Sequence, residues 1–211
     1  MTENAINQQK EQFLSLCRQY IKRAGIDELL AWLDTTDFYR APSSTRFHLN
    51  EEGGLCRHVM NVFDTAMKIY KNCAEEPIAA GTSPFTKPVS EESIAIACLF
   101  HDLCKVGVYR RAEKFRKNDK GQWETYLSWE MQESFPIGHA EKSLMIVRKY
   151  MELNLDEALA IRWHMGMFDV GESGSFNRRA FYDATELSPL VCIVSSADFV
   201  ASKCLEKTTE Y

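Results

Sequence analysis

Hydrophobic residues recur at spacings of three and four along most of the chain, a pattern typical of amphipathic α-helices. The spacing predicts a first helix that Gly25 ends. A short second helix is predicted over the segment IDELLAWLD, capped at Asp27 or just before it. Pro, Ser and Gly then punctuate residues 35–54 and predict a loop, after which helical spacing resumes near Gly54.

Helical spacing also dominates the second half of the chain. A loop rich in Pro, Gly and Ser is predicted over residues 73–90, with a helix opening at its end. Two helices follow Pro136, the second of them capped by Gly166. A polar stretch at 169–178 precedes a last helix that begins near Pro189.

The period of the hydrophobic residues changes to two between about residues 112 and 131. Together with a turn signal at 118–121, this predicts a small β-hairpin inserted into an otherwise all-α protein. Basic and aromatic side chains stand together in this region: Arg110, Arg111, Lys114, Arg116, Lys117, Lys120, Trp123, Tyr126 and Trp129. Such a set can bind single-stranded nucleic acid, although packing of the aromatic rings on the helical body is the favoured interpretation.

The chain has 211 residues and a mass of 24.3 kDa, which suits one domain with a sizeable core. We expect a single domain over 1–211, with N-terminal helices at 1–45 and the core domain at 50–205. The formal net charge of -5 gives no general basic surface for binding duplex DNA, so small or locally held substrates are favoured.

Neither a leader segment nor a membrane-spanning window is evident, so we expect a cytoplasmic protein without a membrane partner. The seven cysteines have no CxxC spacing and lie mostly in apolar helical stretches. We interpret them as reduced residues in or near the core. The interpretation is least certain for Cys104, which stands beside Lys105.

A set of ionisable residues falls on inward-facing or terminal positions of the predicted elements. The set contains His58, His101, Asp102, His139, His164 and Asp198. A single inward histidine is more often a hydrogen-bonded core residue than a ligand, but six such positions in one small domain call for a common cause. Imidazoles and carboxylates bind divalent cations, and a cation stabilises carboxylates that would otherwise be costly to bury. The pattern therefore predicts a metal centre.

Five motifs appear in a fixed order: GGLCRHV, CLFHDLCKVG, FPIGHAEKS, AIRWHMG and SSADFVAS. Together they resemble the H…HD…D pattern of the HD superfamily of metal-dependent phosphohydrolases. The segments FHLNEEGGLCRHV and PIGHAEKS are also similar to the HD domain associated with a bacterial 3′-5′ exoribonuclease, and to uncharacterised bacterial and phage proteins. The resemblance implies an all-α HD-domain helical bundle, metal binding and phosphoester hydrolysis.

The resemblance also implies a ligand set. The metal ligands would be His58, His101, Asp102 and Asp198, with His139 and His164 matching the additional histidines of two-metal members. Two residues depart from the pattern, because Cys104 stands where many relatives have Gly and Met165 where some have a second His. One or two divalent ions therefore remain open, and Mn, Fe, Co, Ni, Mg and Zn are all candidates.

Further roles follow from the same resemblance. With two ions, His139 and His164 would hold the second and Asp102 would bridge. With one ion, both histidines would contact the phosphate or protonate the leaving group, and the catalytic set is Asp102, Lys105, His139 and His164. Lys105 either offsets phosphate charge or ends a helix. Arg46 and His48 either contact the phosphate from their loop or are solvated.

The function expected from this sequence is metal-dependent hydrolysis of a phosphomonoester or phosphodiester. The expected partner is a small-molecule nucleotide or a single-stranded nucleic-acid end. A di-iron oxygenase of the same superfamily is one alternative, and a non-catalytic metal- or nucleotide-binding regulatory module is another. Substrate, metal, oligomeric state and pathway stay open at this point.

Overall fold

A computed structural model describes residues 1–170 and 175–208 of the protein. The helices are α1 Glu3–Tyr20, α2 Ile26–Asp34, α3 Gly54–Ile69, α4 Glu75–Ala79, α5 Glu91–Phe100, α6 His139–Tyr150, α7 Leu155–Arg162, α8 Ser175–Leu187 and α9 Pro189–Val200. The strands β1 Tyr109–Lys117 and β2 Trp123–Met131 form one antiparallel pair between α5 and α6. The predicted helical bundle with an inserted hairpin is confirmed.

The connection between α1 and α2 depends on Gly25. Its φ of 92° lies in the left-handed region, and a Cβ atom there would stand 1.8 Å from the carbonyl oxygen of Tyr150. The close approach lets α2 lie against α6, where the rings of Trp32 and Tyr150 stack at 5.7 Å. The prediction that Gly25 ends the first helix is wrong, because α1 already ends at Tyr20; Gly25 is the N-cap of α2, which agrees with the predicted start of that helix just before Asp27.

The core lies where α3, α5, α7 and α9 pack against one another. Every residue of α5 from Ser93 to Phe100 is buried. A helix that is apolar on all sides has to be surrounded by other elements, which explains its central position. The chain leaves this helix directly into His101 and Asp102, so the end of the most buried helix lies at the candidate site.

The hairpin begins at Tyr109, three residues before the predicted limit, and turns at Gly121. Its cationic side chains cover aromatic rings, with Arg111 lying 4.1 Å from the ring centroid of Trp129. Trp123 lies near the tip of the hairpin and is 70% exposed. The interpretation that the aromatic rings pack on the helical body is therefore wrong for Trp123.

Two helices lie where the pattern did not predict them. The helix α4, preceded by a π-helical turn Tyr70–Ala74, occupies part of the predicted loop 73–90. The helix α8 begins at Ser175, inside the predicted polar stretch 169–178, of which residues 171–174 lie outside the described residues. Phe181 and Ala184 of α8 are buried in a small second hydrophobic cluster with Trp163, Val170 and Val191. The apolar face of α8 is therefore evident only from its packing against these residues.

The cysteines are free, as predicted, but they divide by burial. Cys17, Cys56, Cys98 and Cys104 are buried, whereas Cys73, Cys192 and Cys204 are exposed. The near-core interpretation is wrong for the exposed three. Their helices pack only one side against the body, so an apolar neighbourhood in the sequence does not determine the side that a thiol faces.

No single helix among the described residues is long and apolar enough to cross a bilayer. One pair of consecutive helices, Phe176–Leu187 and Pro189–Leu205, meets the length and composition criteria for a span when taken together, but the two helices are bent by 113°. The domain limits 1–45, 50–205 and 1–211 stay predictions, and residues 209–211 lie outside the described residues.

Candidate metal centre

The structure brings all six predicted ligands to one place in the core. His58 comes from α3, His101 and Asp102 directly follow α5, His139 is the first residue of α6, His164 follows α7, and Asp198 lies on α9. Four groups of three His, Cys, Asp or Glu side chains within this region place their ligand atoms within 4.8 Å of one another. Helices that are far apart in the sequence thus place these polar side chains close together in the core.

The Asp102 carboxylate stands at the centre, and its two oxygens face different histidines. The Nε2 atoms of His58 and His101 lie 3.4 and 3.3 Å from Oδ2. The Nε2 atoms of His139 and His164 lie 3.0 and 3.6 Å from Oδ1. One buried carboxylate therefore joins an inner half, which also contains Asp198 Oδ1 at 3.2 Å from His58 Nε2, to an outer half.

Main-chain contacts orient two of the imidazoles. His101 Nδ1 lies 2.7 Å from the carbonyl oxygen of Cys98, and His164 Nδ1 lies 2.8 Å from that of Ile161. A carbonyl only accepts hydrogen bonds, so each Nδ1 carries the proton. In the neutral ring the Nε2 atom then presents a lone pair towards Asp102, as a metal ligand does.

Glu206 orients His58 and was missed by the sequence reasoning. Its carboxylate accepts from His58 Nδ1 at 3.0 Å and from the Asn61 amide at 2.9 Å. A carboxylate behind a ligating imidazole sets its tautomer and its direction. The only sequence signal for this role is that Glu206 is the next acidic residue after Asp198, about two helical turns later.

The buried groups shift one another's protonation. Burial lowers the pKa of His58, but its hydrogen bonds with Asp198 and Glu206 outweigh this effect and raise it to about 9. Burial would raise the pKa of Asp102, but Lys105 and the neighbouring histidines hold it well below its usual range. In the absence of a cation, the inner half is thus an ion pair of an imidazolium with carboxylates.

His164 behaves differently from His58. Burial, and then the charge of His101, lower the pKa of His164 to about 3, so its ring is neutral near pH 7. Its Nε2 atom is buried and has no hydrogen-bond partner among the described residues. The nearest carboxylate oxygen, Asp102 Oδ1, is itself an acceptor. Two acceptors that face each other in a dry interior need a cation between them.

The residues fit a metal ion. Ligand nitrogens and oxygens about 2.1 Å from one ion stand about 3.0–3.4 Å apart in octahedral or tetrahedral coordination. The contacts of 3.0–3.4 Å among the imidazole nitrogens and carboxylate oxygens match that spacing. The Nε2 atoms of His58 and His101 also face each other at 3.3 Å, an arrangement that a shared ion would satisfy.

Lys105 is drawn into the cluster as well. It ends a 3₁₀ turn, Leu103–Lys105, and its Nζ atom lies 2.6 Å from Asp102 Oδ2. Burial lowers the pKa of this ammonium, but the Asp102 carboxylate outweighs burial and raises it. The charge of Asp102 is thus offset without a metal ion, and the case for a cation depends on His164 and on the convergence of the imidazoles.

The two predicted phosphate contacts of the loop have different surroundings. The His48 ring lies 4.9 Å from the His58 ring, and its Nε2 atom lies 3.9 Å from Glu206 Oε2. His48 therefore stands beside the cluster. Arg46 is exposed, and its guanidinium lies over the ring of Phe47 at 5.4 Å. Among the described residues, Arg46 forms no hydrogen bond or ion pair with the candidate ligands.

The cluster opens to solvent at the N-terminus of α6. The His139 side chain is 35% exposed, whereas those of His58, His101 and His164 are buried. A surface pocket of about 730 Å³ lies elsewhere, between residues 84–90 and the starts of α7 and α9, and none of its lining residues belongs to the cluster. Among the six candidate ligands, His139 is the most exposed.

A family model described as HD domain matches residues 55–202. The match covers most of the chain and contains all six candidate ligands, whereas Arg46, His48 and Glu206 lie outside it. No curated protein and no solved structure matches the chain significantly. The resemblance to the HD domain of an exoribonuclease thus stays an expectation.

Proposed function

The chain belongs to the HD domain family, and from this premise we propose that it is a phosphohydrolase that cleaves a phosphomonoester or phosphodiester of a nucleotide or of a nucleic-acid end. HD domains are generally metal-dependent hydrolases. The finer assignment to phosphoesters, and to nucleotides or nucleic-acid ends among them, is our inference from the resemblance of the five motifs to the HD superfamily of phosphohydrolases.

The observation that carries the proposal is the buried lone pair of His164. Its Nε2 atom points at an acceptor oxygen of Asp102, lacks a hydrogen-bond partner and stays unprotonated near neutral pH. A folded core tolerates such an atom when a cation satisfies it. Because His58 and His101 reach the same oxygen of Asp102, and His58 also reaches Asp198, the site supports metal binding better than it supports a structural polar cluster.

The residues that would hold the ion are His58, His101, Asp102 and Asp198. A bound divalent ion supplies a nucleophilic water at neutral pH and polarises a phosphoryl oxygen. Glu206 holds His58 in the tautomer that this task requires. Asp102 contributes one oxygen to each half of the site, which supports its predicted bridging role if two ions bind.

Lys105 and His139 are the groups that we expect to meet the phosphate. Lys105 carries a positive charge 2.6 Å from Asp102 and can offset the charge of a phosphoryl group next to the same carboxylate. His139 stands at the opening and is the most exposed imidazole of the cluster. With one ion bound, its imidazolium can donate a proton to the leaving oxygen. His48, behind His58, is farther from the opening.

The size and charge of the molecule support a small or single-stranded substrate. The chain has a formal net charge of -5, so a long duplex finds no general electrostatic attraction. The exposed edge of the cluster at His139 lies 3.0 Å from the buried Asp102 carboxylate. A phosphate at the end of a short strand, or on a free nucleotide, fits that access.

A substrate screen tests the proposal. Protein supplemented with manganese, cobalt or nickel is offered bis-p-nitrophenyl phosphate, nucleoside phosphates, cyclic nucleotides and short oligoribonucleotides. We expect metal-dependent turnover that is lost in Asp102→Asn and retained in Glu91→Gln, a matched change of a surface carboxylate. Phosphoester turnover that is absent from metal-loaded protein, or oxygen consumption by an iron-loaded sample in its place, would contradict the proposal.

The number of ions is settled by elemental analysis. Two ions per chain that fall to one in His139→Ala support the bridged arrangement. One ion per chain, unchanged in His139→Ala, excludes that arrangement and leaves His139 as a phosphate or leaving-group contact.

A further inference from the structure

The outer half of the site contains a sulfur atom next to the imidazole of His139. Cys104 Sγ lies 3.4 Å from His139 Nδ1, 3.5 Å from His139 Nε2 and 4.0 Å from Asp102 Oδ1. His139 Nε2 lies 3.0 Å from the same Asp102 oxygen. Three ligand types, a thiol, an imidazole and a carboxylate, thus place their atoms within 4.8 Å of one another.

The fold holds this trio in place by a contact between two elements. The backbone N–H of Cys104, in the 3₁₀ turn after Asp102, donates to Ser143 Oγ at 2.9 Å. Ser143 is buried on α6 one turn after His139, the first residue of that helix. The bond therefore fixes the turn that carries Cys104 against the helix that carries His139.

We propose that Cys104 is a metal ligand, and that its thiolate with His139 and Asp102 forms an outer metal position that selects a borderline transition-metal ion such as Zn²⁺ or Co²⁺. The inference rests on the proposed function, since it assigns a further ligand to the same site. It departs from the ligand set predicted from sequence, in which nitrogen and oxygen were the only donors.

The spacing agrees with shared coordination. Zinc binds sulfur at about 2.3 Å and imidazole nitrogen at about 2.0–2.1 Å, so tetrahedral ligands of these types stand about 3.6 Å apart. His139 Nε2, the nitrogen that faces Asp102 Oδ1, lies 3.5 Å from Cys104 Sγ, close to that value. The buried Nε2 atom of His164, which lacks a hydrogen-bond partner among the described residues, lies 3.6 Å from Asp102 Oδ1, the oxygen that also faces His139 and Cys104.

The sulfur determines which metals the position prefers. Thiolates favour zinc and other soft or borderline ions, whereas carboxylates and water suit Mg²⁺ and Mn²⁺. Among the described residues, the ligand group of the inner half, His58, His101 and Asp198, contains no cysteine. The two halves that share Asp102 therefore differ in chemical preference, and a mixed-metal centre becomes possible.

Cobalt reports a thiolate ligand directly, because sulfur bound to Co²⁺ gives a near-ultraviolet charge-transfer band. We expect the full-length protein to show this band and Cys104→Ser to lose it, while the visible cobalt bands of the inner half persist. Cys73→Ser, which removes an exposed thiol outside the cluster, should keep the band. Zn²⁺ affinity of the outer position should fall at least about tenfold in Cys104→Ser, with little change for Mn²⁺.

A second measurement needs no variant. X-ray absorption of the zinc-loaded wild-type protein should contain a zinc–sulfur distance of about 2.3 Å. Its absence, or a charge-transfer band that survives in Cys104→Ser, would overturn the inference. Neither readout requires turnover. Hydrolysis without the sulfur signal would reject Cys104 as a ligand and keep the proposed function, and the sulfur signal without hydrolysis would do the reverse.

Discussion

Asp102 and Glu157 are both fully buried carboxylates of the helical core, but their surroundings are of opposite kinds. Glu157 accepts from Arg23 Nη1 and Nη2 at 2.8 and 2.9 Å, from Ser93 Oγ at 2.8 Å and from the backbone N–H of Asn154 at 3.0 Å. Every one of these partners is a donor. Asp102 instead contacts the Lys105 ammonium and four imidazoles, and one of these, the neutral ring of His164, offers it no donor.

The difference teaches which feature of a buried carboxylate indicates a metal. Burial is equal in the two clusters, so burial has no diagnostic value here. The Glu157 cluster is complete, because it closes the capping box of α7 and pairs with a guanidinium. The Asp102 cluster leaves the Nε2 atom of His164 without a donor. A buried acceptor without a donor therefore indicates a cation site more clearly than a buried charge does.

The largest expected effect is the loss of hydrolytic activity when Asp102, but not Glu157, is changed. Asp102→Asn keeps the shape of the side chain but removes the charge shared by both halves of the site. We expect loss of bound metal and about a thousandfold loss of turnover, because several kcal/mol of transition-state stabilisation disappear. Helical circular dichroism should change little. His101→Ala should behave in the same way, and full activity in either variant would refute the assignment.

The next largest expected effect is the stabilisation of the folded protein by added metal. A metal ion at 100 times its Kd, binding only the folded state, should stabilise the protein by about 2.7 kcal/mol. The increase in the unfolding midpoint should vanish with a chelator and in Asp102→Asn, and should persist in Glu157→Gln. Thermal unfolding with and without chelator measures it. An equal increase in Asp102→Asn would place the ion elsewhere.

Glu157→Gln should affect stability and leave the metal in place. It leaves Arg23 with its hydrogen bond to the carbonyl oxygen of Glu152, at 3.0 Å, and its longer contact to Glu92, at 3.2 Å. Breaking a buried pair is strongly destabilising, but Arg23 is partly exposed, so we expect a loss of about 2 kcal/mol in the free energy of unfolding. Urea unfolding of the chelated protein gives this value. Metal content below that of the wild type would contradict the separation of the two clusters.

Glu206→Gln tests the orienting carboxylate behind His58. Removal of such a partner typically weakens metal binding about tenfold or more, without removing a ligand. Competition with a metal-binding dye measures the affinity, and Glu91→Gln serves as the surface control. An affinity equal to that of the wild type would mean that Asn61 and the packing of α3 are sufficient to hold His58.

The pH dependence of metal binding tests whether His58 is a ligand. The raised pKa of His58, about 9, means that its ring is protonated in the metal-free protein at neutral pH. An ion has to displace that proton, so affinity should rise with pH, about tenfold per unit up to about pH 9, and flatten above it. Calorimetry in buffers of different ionisation enthalpy counts the released proton. No release at pH 7.5 would show that His58 is not a ligand.

Much of the fold follows from local pattern. Helical spacing and turn residues predicted α1, α3, α5, α9 and the hairpin, because their apolar faces are long and uninterrupted. The helices α4 and α8 were missed because their segments contain Pro, Gly or many polar residues. Contacts such as that of Phe181 with Trp163, at 5.7 Å between ring centroids, stabilise α8 only after the chain has folded.

The site was predicted in part for the same physical reason. Ligand types and their order can be recognised in the sequence because each motif is local. The pairing of Lys105 with Asp102 could not be separated there from a helix-ending role, and Glu206 has no motif. The sequence predicted Cys104 only as a reduced thiol in or near the core, because its neighbour His139 is 35 residues away in the chain.

The sequence by itself determined the helical class, the inserted hairpin and the six side chains able to bind a cation. These depend on residue type and on spacing within one element. The tertiary structure decided which oxygen of Asp102 faces which imidazole, that the Nε2 atom of His164 has no partner, and that Cys104 stands beside His139. Such contacts join residues far apart in the chain, and only the packing of whole helices sets distances on the scale of one hydrogen bond.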